Sequence, residues 1–180
     1  MLTAEERATR KRERLLAKSR EYQTGTYIRK FVAPVFQRMI RAEAGARPNQ
    51  PAMIDGVYSA TWTTPSGVAC CVTCGKSAWW TTDKKAGLQG LDAGHYLAGR
   101  GNAILFEETN CHPQCSYCNE RLCGNQGAYL IYMFSRYGQA EIERLLELKH
   151  GPAKQFTREE LVDMRIAYQA RLDKAMEVMK

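Results

Sequence analysis

The chain has 180 residues, 44% of them hydrophobic, with a net charge of +7 and seven cysteines, which is enough for one domain with appendages. It has no apolar run of about 18 residues, which excludes a membrane span, and its basic start, MLTAEERATRKRERLLAKSR, has no apolar stretch behind it, which excludes a signal peptide. An odd number of cysteines in Cys-x-x-Cys spacing, without a secretion signal, argues for metal in a reducing cytosol and against a disulfide scaffold.

The positive charge is concentrated at one end. Residues 1–47 hold 12 Lys/Arg against 5 Asp/Glu, and the rest of the chain holds 14 of each. A basic arm on a neutral body suits attachment to a polyanion such as DNA. Residues 4–21 lack Gly and Pro, and Leu15 and Leu16 are almost their only large apolar side chains. This predicts an exposed basic helix within an arm spanning 1–25. Over residues 26–43, Ile28, Phe31, Val32, Val35, Phe36, Met39 and Ile40 recur at helical spacing, and Pro34 should bend that helix. Arg29, Lys30, Arg38 and Arg41 lie mostly off the apolar face and are candidate DNA contacts. Residues 44–69, with Gly45, Pro48, Pro51, Gly56, Pro65 and Gly67, read as a loop-rich connection with a short strand near 57–64. The segment 26–69 is thus an amphipathic helix followed by a connection.

Residues 71–125 carry the chemistry. Two Cys-x-x-Cys pairs, Cys71/Cys74 and Cys115/Cys118, supply four thiolates, the set that closes a tetrahedral Zn²⁺ site. An iron–sulfur or redox site is the competing reading, but redox Cys-x-x-Cys motifs normally come singly near a βαβ pattern. Cys70, Cys111 and Cys123 are left over, and Cys111 and Cys123 read as small buried residues. Between and beside the pairs lie Asp92, His95, Asn110 and Asn119, none needed to hold zinc. Hydrolysing a phosphodiester needs a base and a cation at the phosphate. His95 suits the base, Asp92 suits a hard-cation ligand, and Asn119 can add an amide oxygen. Strict strand geometry would send positions 92 and 95 to opposite faces, so a bulge or turn at Gly94 is expected. Arg100 and Arg121 flank these residues and are candidate phosphate contacts.

Residues 128–180 read as helices. AYLIYMFSRYG is apolar on most sides, Gly138 breaks it, and QAEIERLLELKH ends at Gly151-Pro152. Thr157 to Glu160 is a capping box opening a last helix, with Leu161, Met164, Tyr168, Leu172, Ala175, Met176 and Met179 at helical spacing. Packing on the core is the first reading of that stripe, and a coiled-coil homodimer seam is the second.

The motifs C-x-x-C-G, D-A-G-H-Y and N-x-H-x-Q-C-x-x-C-N, with the following G-N, resemble the zinc-stapled branch of the HNH (ββα-metal) nucleases. More closely, roughly residues 70–180 resemble the lambdoid phage NinG/Rap recombination endonucleases, and residues 1–69 do not. The resemblance implies an α+β fold, with a small zinc-stapled ββα-metal core (70–127) embedded in a mostly helical shell completed by 128–180. It implies that Asn110 braces the loop between two strands, that Asn119 ligates a catalytic Mg²⁺ or Mn²⁺ with Asp92, and that His112 sits where the family also has His, as a phosphate contact, a support behind the reacting groups or a surface residue. Asn125 is then a helix cap. It further implies a metal-dependent endonuclease acting on branched recombination intermediates, Holliday junctions and D-loops, in the cytoplasm of a phage-infected host. The alternatives are an HNH enzyme cutting ordinary duplex and a zinc-stapled DNA-binding protein without chemistry.

Overall fold

The computed structural model describes residues 2–82, 89–99 and 102–180. The first helix, α1 (Ala4–Ser19), opens on a reciprocal capping box between Thr3 and Glu6, which satisfies two otherwise orphaned amides. Its basic side stays exposed, as its composition predicts, while Leu15 and Leu16 rest on the core. The helix α2 (Thr24–Tyr27) runs through one π-helical turn, Ile28–Val32, into α3 (Ala33–Gly45). The wide turn has a local cause. Pro34 cannot donate a backbone hydrogen bond, and its ring would crowd the carbonyl four residues back. The helix loosens just before it and continues, with the Ala33 amide bonded to Ile28 O. Ile28, Val32, Phe36, Met39 and Ile40 are buried as their spacing predicts.

Three two-stranded antiparallel sheets follow. The strands β1 (Asn49–Ile54) and β2 (Val57–Thr63) form a hairpin; β2 is the short strand expected near 57–64, while β1 stands in the segment expected to be a loop-rich connection. Its two-residue turn, Asp55-Gly56, has positive φ at both positions (49° and 81°), the geometry that Asp-Gly favours. The pair β3 (Val68–Cys70) and β4 (Ser77–Trp79) presents Cys71 and Cys74 in its turn. Then β5 (Asp92–His95) runs through a long connection containing α4 (Asn102–Leu105) to β6 (Cys111–Gln114), its antiparallel partner. The chain continues into a π-helical turn, Tyr117–Arg121, and the helices α5 (Gln126–Tyr137), α6 (Gln139–His150) and α7 (Arg158–Val178).

Helix α7 opens on the expected Thr157/Glu160 capping box and buries Leu161, Val162, Tyr168, Leu172 and Ala175 in one core with α2 and α3. Leu161, Val162 and Leu172 each contribute about 1.5–3 kcal/mol on burial. The stripe weighed as a dimer seam is therefore spent inside the chain. Arg12 ties α1 to α7 through paired bonds to Asp163 (2.6 and 2.9 Å). A second core joins α5 and α6 to Met53, Tyr96, Leu97 and Ile104. The turn before β6 is clamped from both sides, by Arg144 on Glu107 and by Arg171 bridging Glu43 and Glu108. Among the described residues no helix is long and apolar enough to cross a membrane.

Candidate active site

The four cysteine sulfurs converge. Cys71 and Cys74 come from the β3–β4 turn, Cys115 from the end of β6, and Cys118 from the turn after it, and the four Sγ atoms all lie within 4.8 Å of one another. A tetrahedral ion with Zn–S bonds of about 2.3 Å would set its sulfurs about 3.8 Å apart. The Cys74–Cys115 separation is 3.8 Å. The first knuckle is closed by Cys71 N–H on Lys76 O and Gly75 N–H on Cys71 O. Gly75 is needed there twice over: its φ is 72°, and a Cβ would come 2.6 Å from Met53 O. Burial pushes the Cys74 and Cys115 thiols up, and the neighbouring Cys71 sulfur adds to both shifts. A bound divalent cation reverses that balance by holding thiolates. The cluster can hold a metal ion and suits structural zinc.

Beside it, β5 and β6 pair in unbroken register: Asp92 opposes Gln114, Gly94 opposes His112, and His95 opposes Cys111. The bulge expected at Gly94 is not there. Asp92 and His95 therefore leave opposite faces of β5, and Asn119, which contacts Asp92, also borders the groove that His95 lines. Asp92, Gly94 and Gln114 share the face toward the turn after β6. Asn119 reaches across from that turn, its amide 3.4 Å from Asp92 Oδ2. Gly94 is forced to be glycine by this approach: a Cβ would lie 1.9 Å from Gln114 Oε1 and 3.1 Å from Asn119 Oδ1. Gln114 is fully buried, and its Oε1 has no hydrogen-bond partner among the described residues. Sequence reading passed over Gln114. Its signal was register, a Gln directly across from the Asp of D-A-G-H.

His95 lies half-buried on the other face. Its Nε2 is 3.1 Å from Leu105 O. A carbonyl can only accept, so Nε2 carries the proton and Nδ1 keeps its lone pair. Nδ1 has no partner among the described residues. Burial lowers the His95 pKa, with the bond to Leu105 O opposing the shift. The neutral imidazole near pH 7 is therefore a competent proton acceptor. His95, Ala93 and Asn119 border one open groove of ≈ 550 Å³, whose far side is Glu120, Cys123, Gly124 and Gln126. A more enclosed cavity of ≈ 240 Å³ lies behind His112, and neither Asp92 nor His95 lines it.

The remaining expected residues divide by geometry. Asn110 is fully buried: its Oδ1 accepts from Leu97 N–H (2.8 Å), and its Nδ2 donates to Leu97 O and Ile104 O. It holds the β5–β6 connection together and has no atom left for a reacting group. His112 is corrected from phosphate contact to buried support. It is 6% exposed, Nδ1 is 2.9 Å from Tyr129 OH, and Nε2 is 2.9 Å from Tyr137 OH. Tyr129 OH donates to Gly94 O (3.0 Å), so it accepts from His112 Nδ1–H, and Tyr137 donates to Nε2. Burial pushes His112 down to about 3, with Arg136, His95 and Arg47 adding to the shift. Arg41 donates to Leu91 O (2.7 Å) at the entry to β5, and burial lowers its pKa against the pull of Asp92. Arg29, Lys30, Arg38 and Arg121 are exposed, and Arg100 lies outside the described residues. Cys111 is buried as expected, but Cys123 is exposed at φ 48°. Asn125 makes no side-chain cap; its amide points to Cys118 Sγ instead, at 3.7 Å.

A family model described as "NinG: Bacteriophage Lambda NinG protein" matches residues 64–177. Protein ninG of Escherichia phage lambda is 32% identical over 105 residues, 57% of this chain and 45% of that protein. Protein ninG of Salmonella phage P22 is 31% identical over 105 residues, with coverage of 57% and 45%. Protein ninG of Enterobacteria phage H19B is 34% identical over 55 residues, covering 30% of this chain and 27% of that protein. The matches thus cover just under half the length of the lambda and P22 proteins. No solved structure matches the chain significantly.

Proposed function

The chain belongs to the NinG family, and from that premise we propose that it is a metal-dependent DNA endonuclease of HNH type, acting on branched recombination intermediates. The observation that carries the reading is His95. It is a neutral imidazole with an uncommitted Nδ1, bordering the same groove as Asn119, which in turn contacts Asp92. Two antiparallel strands followed by a helix, stapled by four cysteines, support the ββα-metal interpretation.

Asp92 and Asn119 are oxygen donors suited to a hard cation, and the orphaned Gln114 oxygen beside them marks a place where positive charge is wanted. A Mg²⁺ or Mn²⁺ bound there would neutralise charge on the scissile phosphate and the leaving 3′ oxygen. The protein's own part is then specific. His95, which borders the groove, takes the proton of the attacking water on Nδ1, and Leu105 O holds the ring by its Nε2–H, which leaves Nδ1 as the basic nitrogen. Asn110 fixes the connection that carries Leu105, and Tyr129 fixes the Gly94 carbonyl next to His95. Products would carry 5′-phosphate and 3′-hydroxyl ends. Exposed Arg7, Arg10, Lys11 and Arg14 on α1 offer a backbone-tracking surface.

The test is cleavage of a labelled four-way junction and a matched linear duplex, in Mg²⁺ and in Mn²⁺. Cutting confined to the junction supports the whole reading. Equal cutting of both substrates keeps the nuclease and removes the branch selectivity. Binding without cutting by zinc-loaded protein leaves a DNA-binding module.

A further inference from the structure

Gln114 has an amide whose orientation is fixed from one side only. Its Nε2 donates to Thr73 Oγ1 (3.1 Å) and to Gly124 O (2.9 Å). Gly124 O can only accept, so the amide cannot turn over without facing oxygen against oxygen. Oε1 is thereby aimed at the Gly94 face, fully buried and without a donor among the described residues. Leaving a buried carbonyl oxygen unsatisfied costs about 1–3 kcal/mol. Among the described residues, the amide donor beside it, Asn119 Nδ2, is turned to Asp92 instead. Asp92 opposes Gln114 directly across the ladder, and Asn119 Oδ1 lies 3.1 Å from the point that a Gly94 Cβ would occupy, itself 1.9 Å from Gln114 Oε1. Both amide oxygens therefore flank one point in space. They are close enough to share an ion with metal–oxygen distances of about 2.1–2.5 Å. The one donor among these groups, Asn119 Nδ2, is held only weakly by Asp92 at 3.4 Å.

We propose that Gln114 Oε1 is a third protein ligand of the cation held by Asp92 and Asn119, and that position 94 is glycine because that oxygen occupies the space of a Cβ. This rests on the cation site of the proposed function and adds the residue that completes it. It also ties the two metals together. Gln114 immediately precedes Cys115, and its amide is anchored on Thr73 between Cys71 and Cys74. The thiolate cluster thus sets the position of an oxygen at the other site.

The experiment measures Mn²⁺ binding by the full chain at full zinc occupancy, using electron paramagnetic resonance of free Mn²⁺. Asp92→Ala, Gln114→Met and Gln114→Glu are compared with the wild type. The proposal predicts that Gln114→Met weakens Mn²⁺ binding about 10- to 100-fold at unchanged zinc content. Gln114→Glu, which places a formal charge at the same oxygen, tightens it. A packing role for Gln114 predicts instead that Gln114→Met, which is of similar volume, leaves Mn²⁺ binding unchanged. Wild-type affinity in Gln114→Met, with Asp92→Ala still defective, overturns the Gln114 assignment and leaves the Asp92/Asn119 site standing. If Gln114→Met loses zinc, Gln114→Glu decides: tighter binding supports the proposal, and unchanged or weaker binding overturns it. Absence of Mn²⁺ binding by the wild type removes both this proposal and the cation site beneath it.

Discussion

Two histidines stand one position apart across the same pair of strands, and the structure uses them in opposite ways. His112 opposes Gly94, and His95 opposes Cys111. Burial lowers the pKa of both, so both are neutral near pH 7. The difference is in the hydrogen bonds. His112 spends both ring nitrogens, on Tyr129 and Tyr137, and becomes one link in a chain that ends on Gly94 O. His95 spends one nitrogen on Leu105 O, and the other has no partner among the described residues. Burial decides the protonation state of each ring, and the count of committed nitrogens separates support from chemistry. Under the proposed function, a depressed pKa by itself would nominate the wrong residue, since the larger shift belongs to the histidine whose two nitrogens are both bonded.

Substitution should pull the two apart most widely in rate. His95→Ala is expected to lower cleavage by about 10²- to 10⁴-fold, the range for loss of a general base. Zinc content, melting temperature and DNA binding should stay near wild type. His112→Phe should do the reverse, losing about 1–3 kcal/mol of stability because Tyr129 and Tyr137 are left with unmade bonds. Its activity should fall only with the folded fraction. A His112→Phe protein that is fully folded yet inactive would break the distinction.

Acid sharpens the same contrast on a smaller scale. His112 is held at about 3 in the fold, against an ordinary value near 6.5. The unfolded chain therefore binds the proton first. The stability contributed by neutral His112 is complete above about pH 6.5 and is lost as pH falls toward the folded value, by up to about 1.4 kcal/mol per unit. Between pH 7 and pH 5 this amounts to about 2 kcal/mol. Protonation of the cysteine ligands acts in the same direction. The measurement is therefore urea unfolding at saturating zinc, for wild type and His112→Phe in parallel. The wild type should lose about 2 kcal/mol more than the variant over that interval. Equal losses would place the acid sensitivity entirely in the metal cluster.

What the sequence revealed follows from how locally each feature is encoded. The four cysteines were legible because each knuckle needs only a Cys-x-x-Cys spacing, and the apolar faces of α3 and α7 because helical burial repeats at a fixed period. The β1–β2 hairpin was legible in principle: Asp55-Gly56 between two strands was its signal, overlooked amid the prolines around it. A bulge at Gly94 would be needed only if Asp92 and His95 had to share one face; Asn119, from the turn after β6, contacts Asp92 and borders the groove of His95 instead. His112 looked exposed in a polar motif because nothing local announces Tyr129 and Tyr137, which reach it from α5. Gln114 was illegible for a stronger reason. Its significance is an oxygen without a partner, and partners belong to the fold as a whole.

The smallest expected effect bears on the outer end of the His112 chain. Tyr137 donates its hydroxyl to His112 Nε2 and is itself only partly buried. Tyr137→Phe removes that donor and strands a lone pair inside the protein, at a cost of about 0.5–1.5 kcal/mol. In a His112→Phe background the same change should cost almost nothing, because the bond it removes is already absent. The double-mutant cycle therefore isolates the bond, with a coupling of about 1 kcal/mol. Tyr129→Phe should cost more than Tyr137→Phe, since Tyr129 serves both His112 and Gly94 O and is fully buried. Cleavage per folded molecule should hardly move in Tyr137→Phe, three hydrogen bonds away from Gly94. A large fall in rate there, at unchanged stability, would mean that the chain from Tyr137 through His112 to Gly94 positions the reacting groups, and the line drawn between the two histidines would have to move.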